Sequence, residues 1–317
     1  MASALGEKLR LLADVYLRSG GTLSGRYEAT AIELTSFCNL SCPLCPVARD
    51  ANTLNRERKT IDPGDLHRII ELTKDITRTY VLSMWGEPLL HKDFFPLLDV
   101  VRAACDTIWI STNLNYSAKL AHRLAECPEL KIICSLDGWD EDSYKVYRVG
   151  GRFDLVVQNL AILAAGRCGV YPQFLINDDN RDQVGAMQAF CEGFGIGPGD
   201  ILLRPMAENF RNENVGAVPG TCHAPYRGLH FNSDGYLLPC AVNVGPDLRI
   251  QHISEIKSAE ELLNGEPMRA MRRQLAKDKN HYESCQSCAG VRVDAVLAQS
   301  VKTRIRNFLT PGSSGAP

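Results

Sequence analysis

A chain of 317 residues, 45% hydrophobic and 23% charged, is long enough to bury a sizeable core as one barrel or as two smaller domains. A formal net charge of -2 with no basic tract argues against nucleic acid and anionic membrane surfaces as partners. No apolar run reaches bilayer-spanning length, and the opening MASALGEKLRLLADVYLRSGG reads as an amphipathic helix without a secretion signal's apolar core or cleavage site, so the chain is expected in the cytoplasm.

That helix occupies residues 1–28. Residues 29–34 are extended and lead into a cysteine-rich loop. Residues 63–77 (PGDLHRIIELTKDIT) carry a helical period with Asp62 placed as N-cap. Strands are then predicted over 80–83, 107–111, 131–135, 172–176 and 201–204, with helices over 94–104, 116–126, 153–166 and 181–193. Six β/α units in a row imply a parallel α/β sheet covered by helices, assigned here to residues 29–215. Its short apolar strands predict burial on both faces. A partly closed barrel and an open doubly wound sheet both fit.

The rhythm breaks at residues 208–219, which are polar and looped. A hairpin follows: an extended run at 229–232, the turn Ser233-Asp234-Gly235, and a second run at 236–238 ending on Pro239-Cys240. Two short helices, 259–264 and 267–276, complete a second region over 216–290, and a basic amphipathic tail fills 291–317.

Twelve cysteines need a reason. In a reducing compartment a disulfide framework is disfavoured, and metal binding leads. Cys105, Cys127, Cys134, Cys168 and Cys191 stand singly in apolar or helical contexts and read as small buried hydrophobes. Cys38, Cys42 and Cys45 form C-x3-C-x2-C in FCNLSCPLCP. A structural zinc takes four protein ligands. A [4Fe–4S] cluster held by three thiolates keeps one iron open to an outside ligand. Asn39, Pro43 and Pro46 keep the segment looped. It follows the first strand, at the C-terminal edge where α/β folds place chemistry.

The loop resembles the signature of the radical S-adenosylmethionine (radical SAM) enzymes, although Leu44 stands where that family usually has an aromatic residue. The resemblance implies a partial (β/α)6 barrel and S-adenosylmethionine chelated by the free iron. It also implies an electron, delivered by a flavodoxin or ferredoxin, that cleaves the cosubstrate to a 5′-deoxyadenosyl radical. MWGEP, with Gly86 and Glu87, resembles the family's GGEP motif, with Trp85 in place of its first glycine. Glu87 is then expected to accept from the methionine ammonium. Ser111 and Asn113 match the ribose-contacting segment, Ser135 the SLDG strand end, and Arg148 the arginine that holds the methionine carboxylate.

Cys222, Cys240, Cys285 and Cys288 supply four thiols, the set that closes a zinc site or fully ligates an iron–sulfur cluster. Their C-x12-G-x4-C hairpin resembles the SPASM/twitch extension, in the shorter twitch form because no cysteine follows Cys288. Within that group the spacing is most similar to the 2-deoxy-scyllo-inosamine dehydrogenases of aminoglycoside biosynthesis. The resemblance implies an auxiliary [4Fe–4S] cluster that accepts an electron while a secondary alcohol of a small cyclitol, aminocyclitol or sugar becomes a ketone. Arg204, ending the sixth strand, would then steady the reacting hydroxyl. His223 and His230 are candidate proton relays, though satisfied structural histidines are the more usual case. Two competing readings remain: a radical epimerase returning hydrogen from a cysteine thiol, and a non-catalytic metal scaffold.

Overall fold

The computed structural model describes residues 4–17, 19–49, 57–105, 107–176, 180–205, 220–242, 245–288 and 290–291. The polar loop expected at 208–219 and the tail beyond residue 291 lie outside the described residues. No helix among the described residues is long and apolar enough to cross a membrane.

The N-terminal helix is α1, Ala4–Tyr16. Strand β1, Ala29–Ile32, leads to the cysteine loop, which closes on the single turn α2, Pro46–Arg49. Helix α3, Pro63–Thr73, starts where its cap predicts: Asp62 accepts the Gly64 N–H at 2.7 Å and Pro63 occupies the first turn. It buries Leu66, Ile69, Ile70 and Thr73, one face at helical spacing. Then come β2 (Tyr80–Val81), α4 (Phe94–Arg102), β3 (Ile108–Thr112), α5 (Ala118–Ala125) and β4 (Leu130–Ser135). They are followed by α6 (Glu141–Tyr147), α7 (Phe153–Ala164), β5 (Gly169–Ile176), α8 (Val184–Glu192) and β6 (Leu202–Pro205). The C-terminal region adds β7 (Gly228–Phe231), β8 (Leu237–Leu238), α9 (Ala259–Asn264) and α10 (Glu266–Lys277).

Strands β1 to β6 are parallel and lie in strict chain order, each hydrogen-bonded to the next. A doubly wound sheet reverses direction at a switch point. This sheet does not, so of the two architectures open to the sequence it is the partial barrel. Residues alternate along β3: Ile108, Ile110 and Thr112 are buried, while Trp109 and Ser111 are only half-buried. Strand β4 repeats this with Leu130, Ile132 and Cys134 buried and Lys131 and Ile133 half-buried. Burial on both faces was expected. The inner face is instead partly open because the unclosed barrel leaves a cleft inside.

Two elements escape the sequence pattern. Helix α6 is built on Asp140, whose carboxylate accepts the Ser143 N–H at 2.8 Å in a reciprocal cap. Strand β5 begins three residues before Pro172, which reads as a strand start. Only β4 flanks it there, since β6 pairs from Gln173 onward, and proline is tolerated at such an edge.

The hairpin β7–β8 is not a separate sheet. β7 runs parallel to β1, pairing Thr30 with Leu229 and Ile32 with Phe231, so the C-terminal region continues the barrel on the free side of β1. Arg272 of α10 fastens the same seam. Wholly buried, it donates to the carbonyls of Pro225, Gly21 and Leu263 at 2.7–3.0 Å and to the Tyr27 hydroxyl. Hydrogen bonds from a charged donor contribute about 1.5–3 kcal/mol each, so this side chain ties three chain segments together.

Candidate active site

The first functional loop hangs on the β1 end. Ser36 N–H donates to the Lys59 carbonyl at 2.8 Å, and the Lys59 N–H returns a bond to Ser36 Oγ at 2.7 Å. The Cys45 N–H closes a turn on the Cys42 carbonyl at 3.0 Å before α2. The three thiols of Cys38, Cys42 and Cys45 thereby line one wall of a cavity of about 340 Å3. Leu40, Leu44, Met84 and Trp85 supply its apolar surface, and Ser111, Ser135, Gln173, Arg148 and Arg204 its polar side. The sequence-predicted residues from β1, β2, β3, β4 and β6 thus meet in one place.

The loop is crossed closely by the segment after β2. Gly86 has φ 85°, and a Cβ there would lie 2.3 Å from the Thr35 carbonyl oxygen and 2.8 Å from that of Phe37. The next N–H, of Glu87, donates to the Phe37 carbonyl at 2.8 Å. Gly86 makes room for the backbone of the cysteine loop.

Glu87 is buried, and its carboxylate accepts from Thr112 Oγ1 at 2.8 Å, the Asn113 N–H at 2.8 Å and the Leu89 N–H at 3.3 Å. Burial pushes its pKa up to about 7 against those three donors. A carboxylate has about four acceptor positions, so these three donors do not exhaust it, and Glu87 lines the cavity. Asn113 spends both ends of its amide on the protein: Nδ2 donates to Asn39 Oδ1 at 2.9 Å and toward Cys38 Sγ at 3.8 Å, and Oδ1 accepts the Asn115 N–H. The hydroxyls of Ser111 and Ser135, 3.2 Å apart, are the polar pair at the cavity wall.

Arg148 forms an ion pair with Asp137 in which the side chains are only 12% and 2% exposed, so the pair is a buried one. Asp137 sits at φ 58° and also accepts the Leu175 N–H at 2.7 Å, which fixes it against β5. The other Arg148 terminal nitrogen donates toward Cys42 Sγ at 3.7 Å. The guanidinium is thus held between a carboxylate and a thiol, with an edge on the cavity. Arg204 is exposed at the β6 end beside its register partner Leu175 and shares the cavity lining.

The donor set fits an iron–sulfur cluster. Burial pushes the Cys38 thiol up to about 11, the Leu40 N–H opposes this, and Glu87, Cys42 and Cys45 add to it. Thiolates gathered in such a setting require positive charge at sulfur, and the bonds from Leu40 and Arg148 supply donors to it.

The second thiol group converges at the other end of the hairpin. Cys285 is buried and its thiol is pushed up to about 12, first by burial and then by Cys240, Cys222 and Cys288. Backbone donors reach two of the sulfurs: Val291 N–H to Cys222 and Gly290 N–H to Cys288, each at 3.4 Å. One apolar body joins the two thiol groups. Val47, Leu238, Leu248, Met271, Leu275 and Cys285 form its core, and Cys38, Cys45, Cys222, Met84 and Trp85 pack against it. Trp85 both lines the cavity and packs against this body.

His223 is buried and His230 half-buried, and neither lines the cavity. Burial, aided by Arg227, lowers the His230 pKa to about 4, so it stays neutral near pH 7. The five single cysteines are buried or half-buried, and none lines the cavity.

Comparison with known proteins agrees with this geometry. The family description "Radical SAM superfamily" matches residues 32–191, and "Iron-sulfur cluster-binding domain" (SPASM) matches residues 222–289. Mycofactocin maturase MftC of Mycobacterium tuberculosis (strain ATCC 25618 / H37Rv) is 32% identical over 182 residues, covering 55% of this chain and 44% of the relative. A GTP 3',8-cyclase of Listeria monocytogenes is 29% identical over 167 residues, 50% of this chain and 48% of the relative. The chain spans about half the length of the curated relatives it matches. Among solved structures, Streptococcus suis SuiB bound to S-adenosylmethionine superimposes with TM-score 0.62 at 16% identity, over 88% of this chain and 76% of that one. BtrN in complex with AdoMet and 2-DOIA gives TM-score 0.54 at 16% identity, over 84% and 94%. These likenesses establish the fold. With the family match over half its length, the chain belongs to the radical SAM superfamily, with S-adenosylmethionine and two [4Fe–4S] clusters as its cofactors and a SPASM domain over residues 222–289.

Proposed function

We propose that the protein is a radical SAM dehydrogenase that oxidises a secondary alcohol of a cyclitol, aminocyclitol or sugar to a ketone, as a step in aminoglycoside-type antibiotic biosynthesis. One observation carries the choice of oxidation. All twelve cysteines lie among the described residues, and the only thiols lining the cavity are Cys38, Cys42 and Cys45. An epimerase of the kind considered above needs a further thiol there to return hydrogen to carbon. Four other thiols, Cys222, Cys240, Cys285 and Cys288, are near enough to one another to interact electrostatically, and four is the number that fully ligates an iron–sulfur cluster.

When bound, the first cluster supplies the electron that cleaves S-adenosylmethionine to a 5′-deoxyadenosyl radical, and the second supplies an electron acceptor. The chain's own residues position and polarise. Ser111 and Ser135 offer hydroxyls to a ribose, Glu87 its remaining acceptor position to the methionine ammonium, and Arg148 a fixed cation to the carboxylate. Arg204 is placed to hold the substrate hydroxyl and stabilise developing negative charge on its oxygen; a guanidinium stays protonated, so the proton passes to another base.

A second reading is peptide modification. It is favoured by the match to a protein named as a maturase and by the likeness to SuiB, which has also been solved bound to its precursor peptide SuiA. The two readings share the radical chemistry and differ in substrate.

The test is reduced, reconstituted enzyme with S-adenosylmethionine and either aminocyclitols or candidate peptides in deuterium oxide. A product lacking two hydrogens and carrying a borohydride-reducible carbonyl supports the dehydrogenase. A product of unchanged connectivity bearing deuterium on carbon would falsify it.

A further inference from the structure

Among the described residues two basic side chains are wholly buried, Arg272 and Lys279. Arg272 is accounted for: three carbonyls and a hydroxyl accept from it, and the rings of Tyr27 and Tyr226 lie 5.7 Å and 5.3 Å from its guanidinium carbon. Lys279 is different. It is 1% exposed, and its ammonium donates to the Cys285 carbonyl at 2.8 Å, to Asn280 Oδ1 at 2.7 Å and to the Gln286 carbonyl at 3.4 Å. No described carboxylate forms an ion pair with it, and no described ring stacks on it. A compact ammonium is strongly hydrated in water, and neutral acceptors alone do not offset the cost of burying it. The fold has buried a positive charge with no described carboxylate beside it.

The surroundings point to its counter-charge. Two of the three acceptors belong to the loop between Cys285 and Cys288. A Cβ built at Gly290 would lie 3.4 Å from Lys279 Cδ and 3.6 Å from Cys222 Cβ, so the lysine stem and Cys222 flank one point. Residues carrying two of the four auxiliary thiols, Cys222 and Cys285, therefore flank this side chain. A [4Fe–4S] core on four thiolates is a net anion, and becomes more so on taking an electron.

We propose that Lys279 is the built-in counter-charge of the auxiliary cluster, and that it raises the cluster's reduction potential so that the site accepts an electron. A fixed cation at the edge of an anionic centre in a poorly polarisable interior favours the more reduced state. This inference rests on the cluster in the SPASM domain and not on the proposed substrate.

The experiment is a reductive titration followed by electron paramagnetic resonance, without S-adenosylmethionine or substrate. It is run on reconstituted enzyme, with a Cys38→Ala, Cys42→Ala, Cys45→Ala form identifying the auxiliary signal. Iron and sulfide are measured on the same samples. Lys279→Met is expected to make the reduction equilibrium at least tenfold less favourable, a fall of about 59 mV or more for a one-electron couple. Lys279→Arg, which keeps the charge, is expected to stay near the wild type. If Lys279→Met loses its cluster, Lys279→Gln, which keeps a donor without the charge, takes its place in the same comparison. Should both neutral variants lose iron while Lys279→Arg keeps it, the charge is needed to hold the anion, which supports the proposal. A neutral variant that retains the cluster at the wild-type potential overturns it. So does loss of the cluster in all three variants, which would make the lysine a packing element.

Discussion

Gly86→Ala tests how the cysteine loop is held. The residue has φ 85°, where a side chain costs about 1–2 kcal/mol on backbone grounds. The new methyl would also meet the carbonyl oxygens of Thr35 and Phe37 at 2.3 Å and 2.8 Å. Both are backbone atoms and cannot swing aside, so the two segments must separate, an overpacking cost near the upper end of about 1–3 kcal/mol. Separation also stretches the bond from the Glu87 N–H to Phe37, adding about 1 kcal/mol. The expected loss is thus about 5–6 kcal/mol. Gly150 provides the control, because it has φ 86° with nothing within 4 Å of a Cβ, and Gly150→Ala isolates the backbone strain at about 1–2 kcal/mol. Urea unfolding of the two variants as apoproteins measures the difference. If they agree within about 0.5 kcal/mol, the ordinary error of such comparisons, the close crossing is not what holds the loop.

Asp137→Asn leaves the backbone at φ 58° tolerable but strands the buried Arg148, and is expected to lose about 3 kcal/mol in urea unfolding, whereas removing the charge from the exposed Arg152–Asp154 pair by Asp154→Asn leaves stability unchanged. Glu87, at 4.5 when unfolded and about 7 when folded, binds its proton more tightly in the native apoprotein. The cost is therefore absent below about pH 4.5, grows as pH rises, and is complete above about pH 7, where it reaches about 3 kcal/mol; urea midpoints at both ends, compared with Glu87→Gln, check this slope, and a parallel slope in the variant contradicts it. Cys240→Ala is expected to abolish ketone formation while 5′-deoxyadenosine still forms, measured by chromatography of one reaction mixture; undiminished ketone would remove the second cluster from the electron's path.

The fold was legible where each local signal agreed with the next. The six strand–helix units follow from short apolar runs and from markers such as Asp62 before Pro63. The choice of barrel over open sheet was not legible, because it depends on strand order, a long-range property that no window of sequence contains. Pairing of β7 with β1 was invisible for the same reason: Thr30 and Leu229 are far apart in the chain. In the site, the cysteine spacing carried most of the information because cluster geometry restricts it so tightly. Side-chain partners were harder. A carboxylate and an arginine eleven residues apart gave no sign that Asp137 and Arg148 form a buried pair beside Cys42. Lys279 looked like any surface lysine until Gly220, Cys285 and Gln286 were seen to close around it.

The most direct test is Mössbauer spectroscopy of enzyme reconstituted anaerobically with 57Fe, recorded with and without S-adenosylmethionine. Ligation by Cys38, Cys42 and Cys45 would leave one iron without a protein ligand, whereas ligation by Cys222, Cys240, Cys285 and Cys288 would leave none. Two [4Fe–4S] clusters should therefore be seen, with one iron of one cluster changing its spectrum when the cosubstrate is added, and with that change lost in Cys42→Ala but kept in Cys240→Ala. A single cluster, or a spectrum that the cosubstrate leaves untouched, contradicts the assignment.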